Sequence, residues 1–382
     1  MPRTTGTYMT TATGGEAVRA FVPNPLPPAA PPLDPASCSG NAAAEQALGR
    51  LSAMSGLVAS AEWLIYSSIR KEALLTSQME GTQATLTDLL DEESGMDVAS
   101  TTDVSDVTNY LRAFEYVRNQ LNDKQGGLPL STRLLCEAHA ILLNSVRGEQ
   151  KLPGEIRRSQ NWIGGTRPGN AVHVPPPHIE VGRLLGEMER YIHEPAPALP
   201  PLVRIALIHA QFETIHPFLD GNGRIGRLLI AALLEDWKLL PEPLLYVSGQ
   251  LKTHQAEYYR LLSAIRTEGD WESWVRFFLD CTTEAAENAQ RSIIDIASLI
   301  AADRKKVMAA KDGTVQAIRL FEMLPTMPRF TTTFAAEKLD VTFPTASTAI
   351  KVLQNVDVLT GSTEQKRNQQ FNYKGYIELL QR

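Results

Sequence analysis

From Ala43 onward the chain repeats apolar residues at three- and four-residue steps. Leu48, Leu51, Met54, Leu57, Val58, Ala61 and Leu64 form one stripe, and Ile69, Ala73 and Leu74 carry a second up to Met79. That period predicts amphipathic helices. Gly81 interrupts, and the acidic, polar stretch 82–106 holds a short predicted helix at 84–90. A helix is predicted over 106–121, with Val107, Tyr110, Leu111, Phe114 and Val117 on one face, and another from an N-cap at Ser131 to about Asn144. Further helices are predicted at 181–192, 202–214, 224–237, 254–265, 271–280 and 283–309.

Three stretches break this pattern. Residues 1–20 are rich in Thr and Gly and read as a mobile tail, and the proline-rich run 21–35 reads as an extended surface strap. Residues 148–178 carry Gly154, Gly164, Gly165, Gly169 and the run Pro175 to Pro177; Ile163, the turn GGTRPGN and then Ala171, Val172 and Val174 predict a β-hairpin flap. At the C-terminus, helices at 315–324, 333–339 and 345–356 precede strands at 358–360 and 371–373, a winged-helix order. The expected fold is therefore mainly α, a helical core with a β-hairpin flap plus a C-terminal winged-helix α+β domain. Its expected divisions are 1–20, 21–125 (strap and helices), 126–285 (core) and 286–382 (linker helix and winged helix).

Composition narrows the class. With 382 residues, 43% hydrophobic and 21% charged, the chain has the balance of an ordinary globular protein, not of a disordered, collagen-like or coiled-coil one. Charge breaks every apolar run well before the roughly 20 residues of a membrane span. No basic segment followed by an apolar run opens the chain, so no secretory signal is expected. Cys38, Cys136 and Cys281 lie far apart and read as reduced thiols, which suits a cytoplasmic location. The net charge is −6, yet 303–382 holds twelve Lys/Arg against eight Asp/Glu, leaving +4 there and −10 elsewhere. A mildly basic end on an acidic body hints at a separate role for that end.

The chemistry concentrates in His216-Pro-Phe-Leu-Asp-Gly-Asn-Gly-Arg-Ile-Gly-Arg227, between two apolar helices. Gly221 and Gly223 flank Asn222 and let the backbone approach a ligand. The loop enters a helix, whose free N–H groups suit phosphate. Arg224 and Arg227 lie three residues apart on neighbouring positions of one helix face and add fixed positive charge. Asp220 is a hard oxygen ligand that suits Mg²⁺ shared with phosphates. His216 is an imidazole able to act as a base, and Phe218 reads as a plug into the core.

These residues match HxFx(D/E)GNGRxxR, the signature of the Fic (filamentation-induced-by-cyclic-AMP) family, at every defined position. PNPLPP near the start resembles an N-terminal segment of bacterial Fic proteins, and PGEIRRSQNWIGGTRPGNAVHVPPP resembles the family's flap. The resemblance implies a protein adenylyltransferase that moves AMP from ATP, with Mg²⁺, onto a Ser, Thr or Tyr hydroxyl of a target protein laid against the flap at about 160–178. It implies His216 as the base and Asp220 as the metal ligand. It implies Gly221, Asn222, Gly223, Arg224, Ile225, Gly226 and Arg227 around the phosphates, and Tyr258 at the adenine or, equally, in the core. Thr76-Ser-Gln-Met-Glu80-Gly81 fits the family's inhibitory pattern [ST]xxxE[GN], which implies that Glu80 competes with ATP for Arg227. AMP removal, a UTP or GTP donor, and a nucleotide-sensing DNA-binding regulator stay open. So do self-modification and a DNA or protein partner for the winged helix, whose Lys366 and Arg367 would face phosphate.

The remaining candidates read as structural. His209 is expected to be a hydrogen-bonded packing residue, Asp91, Glu92 and Glu93 a solvated acidic loop, and Trp271 and Trp274 core anchors.

Overall fold

The computed structural model describes residues 3–28, 33–54, 56, 60–94, 102–144, 149–361 and 369–381. Leu57, Val58, Lys366 and Arg367 of the sequence reading, with parts of the strap and of the 82–106 stretch, lie outside them.

The helices form where the apolar period runs. They are α1 (Asn41–Met54), α2 (Ala61–Met79), α3 (Leu86–Glu93), α4 (Thr102–Asn122), α5 (Thr132–Leu142) and α6 (His178–Ile192). There follow α7 (Pro201–Ile215), α8 (Asn222–Asp236), α9 (Ser248–Thr253), α10 (Gln255–Glu268) and α11 (Trp271–Met308). Capping explains several starts: Ser60, Thr85 and Ser131 each accept a backbone N–H of the first turn, and Thr85 and Asp88 form a reciprocal capping box. Helix α7 is apolar nearly all round, so it is buried at the centre, packed on α6, α8, α10 and α11. Helix α8 runs beside it, also against α2, α4 and α5.

The tail expected at 1–20 is instead an antiparallel hairpin, β1 (Gly6–Thr13) and β2 (Glu16–Pro23). Thr-rich runs favour extended backbone. Gly14 and Gly15 supply the two positive φ values, 58° and 79°, that a two-residue hairpin turn demands. The other edge of β2 reaches the flap: the Phe21 N–H donates to the Val174 carbonyl at 2.9 Å, and Val18 and Ala20 pack on Val174. The flap has one bridge, Ile163 to His173, rather than a full hairpin, with a short 3₁₀ turn at Pro168–Asn170. After the hairpin the chain lies on the body, where the Asn24 carbonyl accepts the Gln211 amide.

The two helices expected at 271–280 and 283–309 are one. No Gly or Pro interrupts Trp271–Met308, and Asp270 caps it. At 1.5 Å per residue this rod is about 57 Å long. Its first half packs on the core through Trp274, Val275 and Phe278; its second half carries the C-terminal module through Ile300 and Val307. That module comprises α12 (Val315–Met323), β3 (Arg329–Thr331), α13 (Thr332–Leu339), α14 (Phe343–Asn355), β4 (Thr360–Gly361), β5 (Gln370–Asn372) and α15 (Lys374–Gln381). The strands pair in the order β3-β5-β4, all antiparallel, which completes the winged-helix domain. Strand β3 and helix α15 add to the elements that the sequence predicts. No described helix is long and apolar enough to cross a membrane.

Trp274 is fully buried and its indole N–H donates to the Ala206 carbonyl of α7 at 2.8 Å. Trp274→Ala should lower stability by about 3–5 kcal/mol. Denaturant unfolding with an unchanged m-value checks this.

Candidate active site

His216 ends α7 in the left-handed region, φ 50° and ψ 63°, with its N–H on the Phe212 carbonyl at 2.9 Å. Four side chains then fix the loop that follows. The Asn222 amide spans it, accepting the Phe218 N–H at 2.8 Å and donating to the Phe218 carbonyl at 2.8 Å. Phe218 plugs into the core and stacks on His139, centroids 3.8 Å apart. His139 accepts the Gly154 N–H on Nδ1, so its proton sits on Nε2 and is donated to the Asp220 carbonyl at 3.1 Å. Arg157 is buried, and its guanidinium donates to the carbonyls of His216, Ile215, Pro176 and Ser159. It thereby ties the base of the flap to the loop.

Arg157 and His139 were missed as contributors. Both lie outside the motif, and only the tertiary fold brings them to it. Asn222 was expected at the phosphates, but its side chain is spent inside the loop.

Gly221, φ 75°, turns the chain into α8, whose first-turn N–H groups lack helical partners. Arg224 is buried, 3.8 Å from the Asp220 carboxylate, and its Nε has no hydrogen-bond partner. Arg227, one turn on, is 1% exposed. It donates from Nε to the Thr76 hydroxyl at 2.6 Å, and from Nη2 to the Thr76 carbonyl at 3.1 Å and to Glu80 Oε1 at 2.6 Å.

Glu80 caps α2 and reaches over the start of α8. A Cβ on Gly223 would lie 2.2 Å from Glu80 Oε1, so only glycine lets this carboxylate rest on the helix N-terminus. The motif's cradle thus already holds an anion, supplied by the chain itself.

Ile225, Gly226 and Tyr258 all face inward. Ile225 is fully buried core, its N–H spent on the Gly221 carbonyl, and Gly226 faces Phe212 and Glu213 of α7. Neither turns to the cradle. Tyr258 is buried, and its hydroxyl pairs with His209 Nε2 at 2.9 Å; His209 Nδ1 pairs with the Gly226 carbonyl at 3.0 Å. The tyrosine that keeps a solvent face beside Glu80 and Arg227 is its neighbour, Tyr259.

The site's electrostatics follow from burial. Desolvation first, then the Arg157 charge, pushes His216 down to about 4, so the imidazole is neutral at pH 7. Burial likewise takes His139 to about 4 and His209 to about 3, and holds His173 well below its usual value. Burial opposes the charges of Arg227 and Glu80, yet their pairing outweighs it, so Arg227 is raised and Glu80 lowered. Burial lifts Glu213 and Glu72 to about 7, outweighing the Arg227 charge at Glu213 and the two Ser248 hydrogen bonds at Glu72.

Comparison with known proteins adds independent findings. The Fic/DOC family model matches residues 129–234, and the Fic/DOC family N-terminal model matches residues 39–119. A protein adenylyltransferase Fic of Drosophila ananassae is 29% identical over 216 residues, 56% of this chain and 40% of the relative. That of Drosophila grimshawi is 30% identical over 213 residues, 55% and 40%. The chain thus spans about two fifths of the length of the curated relatives it matches. A solved Fic family protein from Desulfovibrio desulfuricans G20 shares the fold at TM-score 0.58 and 20% identity, covering 89% of this chain and 96% of that one. Fic-1 from C. elegans does so at TM-score 0.53 and 18% identity, covering 68% and 73%.

The shifts carry a sign for stability. An imidazole whose folded pKa is depressed contributes stability above about pH 6.5 that is lost as pH falls toward the folded pKa. A carboxyl whose folded pKa is raised contributes stability below about pH 4.5 that is lost as pH rises. Between these limits the four histidines outweigh Glu72 and Glu213 by two protons. Stability should therefore fall as pH drops from 6.5 to 4.5. A calorimetric Tm that drops steadily over this window is the expected result.

Proposed function

We propose, because the chain belongs to the Fic/DOC family, that it is a protein adenylyltransferase moving AMP from ATP to a Ser, Thr or Tyr hydroxyl of a protein. The observation that supports this most is the cradle itself: buried Arg224 with an orphan Nε, buried Arg227 and the N-terminus of α8, now faced by Glu80, beside a neutral His216. A buried donor without a partner is costly, and a triphosphate supplies the missing acceptor.

In the reaction, the neutral His216 imidazole takes the proton of the target hydroxyl. The oxygen forms a bond to the α-phosphorus while the bond to the pyrophosphate oxygen breaks, and pyrophosphate leaves. The α8 N–H groups, Arg224 and Arg227 stabilise the charge on the phosphates, so the rate comes mainly from positioning and preorganised charge. Asp220 fits Mg²⁺ as a half-exposed carboxylate on the rim of the cradle. No cluster of three or more His, Cys, Asp or Glu occurs among the described residues, so the ion would be held jointly by Asp220 and the phosphates, where it would offset their charge. Tyr259, with Tyr258 behind it, is the platform for the adenine. The flap's exposed Trp162 and Val172 face the target polypeptide, a second copy of the chain included.

Glu80 is the brake. Its carboxylate takes the Arg227 contact that a γ-phosphate needs, so ATP binds in a pose unfit for in-line attack until Glu80 withdraws. The same carboxylate, 36% exposed, is placed to orient a water, and this favours AMP removal as the second reading. The partner of the winged-helix domain is a protein or DNA; the exposed Phe343 on α14 favours a protein.

Purified chain with ATP and Mg²⁺, read by intact mass, tests this. Glu80→Gly should raise AMP incorporation at least about tenfold, the equivalent of 1.4 kcal/mol, and His216→Ala should abolish it. Equal labelling of Glu80→Gly and the parent sinks the brake; labelling that survives His216→Ala sinks the transfer mechanism.

A further inference from the structure

Helix α2, which carries Thr76 and Glu80, does not touch the core alone. Its outer side meets the C-terminal module. The turn Leu324–Thr326 packs against it, and Leu324 is fully buried. The Tyr376 phenol of α15 lies buried beside Tyr66, Ser67 and Arg70 of α2. The Arg304 guanidinium, paired with Glu322 of α12, sits 5.8 Å from the centre of the Trp63 ring.

A second line of contacts runs through α3, joined to α2 by the turn at Gly81. Arg329 of β3 forms an ion pair with Asp91 of α3, their side chains 19% and 13% exposed, and the Gln370 amide of β5 donates to Asp91 at 3.4 Å. Two residues on, Glu93 accepts the Tyr66 hydroxyl at 2.6 Å and the Arg70 guanidinium at 2.6 Å. The acidic run expected to be a solvated loop is therefore a helical clamp between module and brake helix. From Arg70 to Glu80 is ten residues of mostly one helix, about 15 Å.

We propose that the C-terminal module is the release lever of the Glu80 brake. With Arg329 on Asp91 and the Leu324–Thr326 turn on α2, the helix is held where Thr76 and Glu80 bind Arg227. A ligand that binds the module better when these contacts are open draws α2 off and leaves Arg227 to the γ-phosphate. A ligand with no preference between the two arrangements changes nothing. The coupling is reciprocal, so ATP seated on Arg227 loosens the module in turn. This inference rests on the brake reading above.

The test uses the full chain. Arg329→Ala and the isosteric Asp91→Asn should each raise AMP incorporation about fivefold or more, the lower end of measurable coupling. Neither should add to the rate of Glu80→Gly. Hydrogen exchange of residues 61–81 should quicken in both variants, while that of α8 stays unchanged. The charge swap Asp91→Arg with Arg329→Asp should return both readouts toward the parent. Parental rate and exchange in the single variants, rate gains that stack on Glu80→Gly, or a swap that restores nothing overturns the lever. If Glu80→Gly is itself no faster than the parent, the brake reading fails separately, and the exchange data alone decide whether the module holds α2.

Discussion

A guanidinium buried to 1% exposure must be paired, and the placement of Arg227 organises the rest of the site. Removing one partner of a buried ion pair typically costs about 3–5 kcal/mol, because the other charge is left without compensation. Arg227 therefore favours states that keep an anion beside it. In this state the anion is Glu80, with Thr76 taking Nε. In the proposed active state it is a phosphate. On the proposed function, one charge with two alternative counter-ions would couple nucleotide binding to the position of α2, because both anions cannot occupy the start of α8 together. Gly223 makes the exchange possible, since any side chain there would collide with the first occupant.

The loop that presents this charge is preorganised by groups that do no chemistry. Asn222 closes the loop on itself, Phe218 anchors it on His139, and Arg157 gathers the carbonyls at its entrance. Burial that drives His139 and His209 far below their usual pKa values keeps both uncharged, which suits packing residues. The same burial keeps His216 neutral at pH 7.

Much of this was legible in the sequence because local rules determine it. The apolar period marked most of the helices, and the residues from His216 to Arg227 marked the cradle, while the meeting of Glu80 with Arg227 was implied only by the resemblance to the Fic inhibitory pattern. What stayed hidden depended on long-range pairing. The hairpin of β1 and β2 read as a tail because its Thr-rich alternation is weak, although Gly14 and Gly15 were a usable turn signal. Arg157 and the pair Asp91–Arg329 lie far in sequence from the groups they hold, and no periodicity announces an ion pair 238 positions apart. Tyr258 and Tyr259 are adjacent, and only packing decides which of them is buried.

Helix α11 passes unbroken from the core into the C-terminal module, and a rod of this kind transmits bearing as well as distance. Adding one residue to its middle would swing everything beyond it by about 100° and advance it by about 1.5 Å. Arg329 would then point away from α3 with no change in either module's own packing. Length changes in this axle are compatible with the present docking only in steps that restore the phase, about seven residues for two turns. The relative heading of the two modules is thus encoded in a residue count.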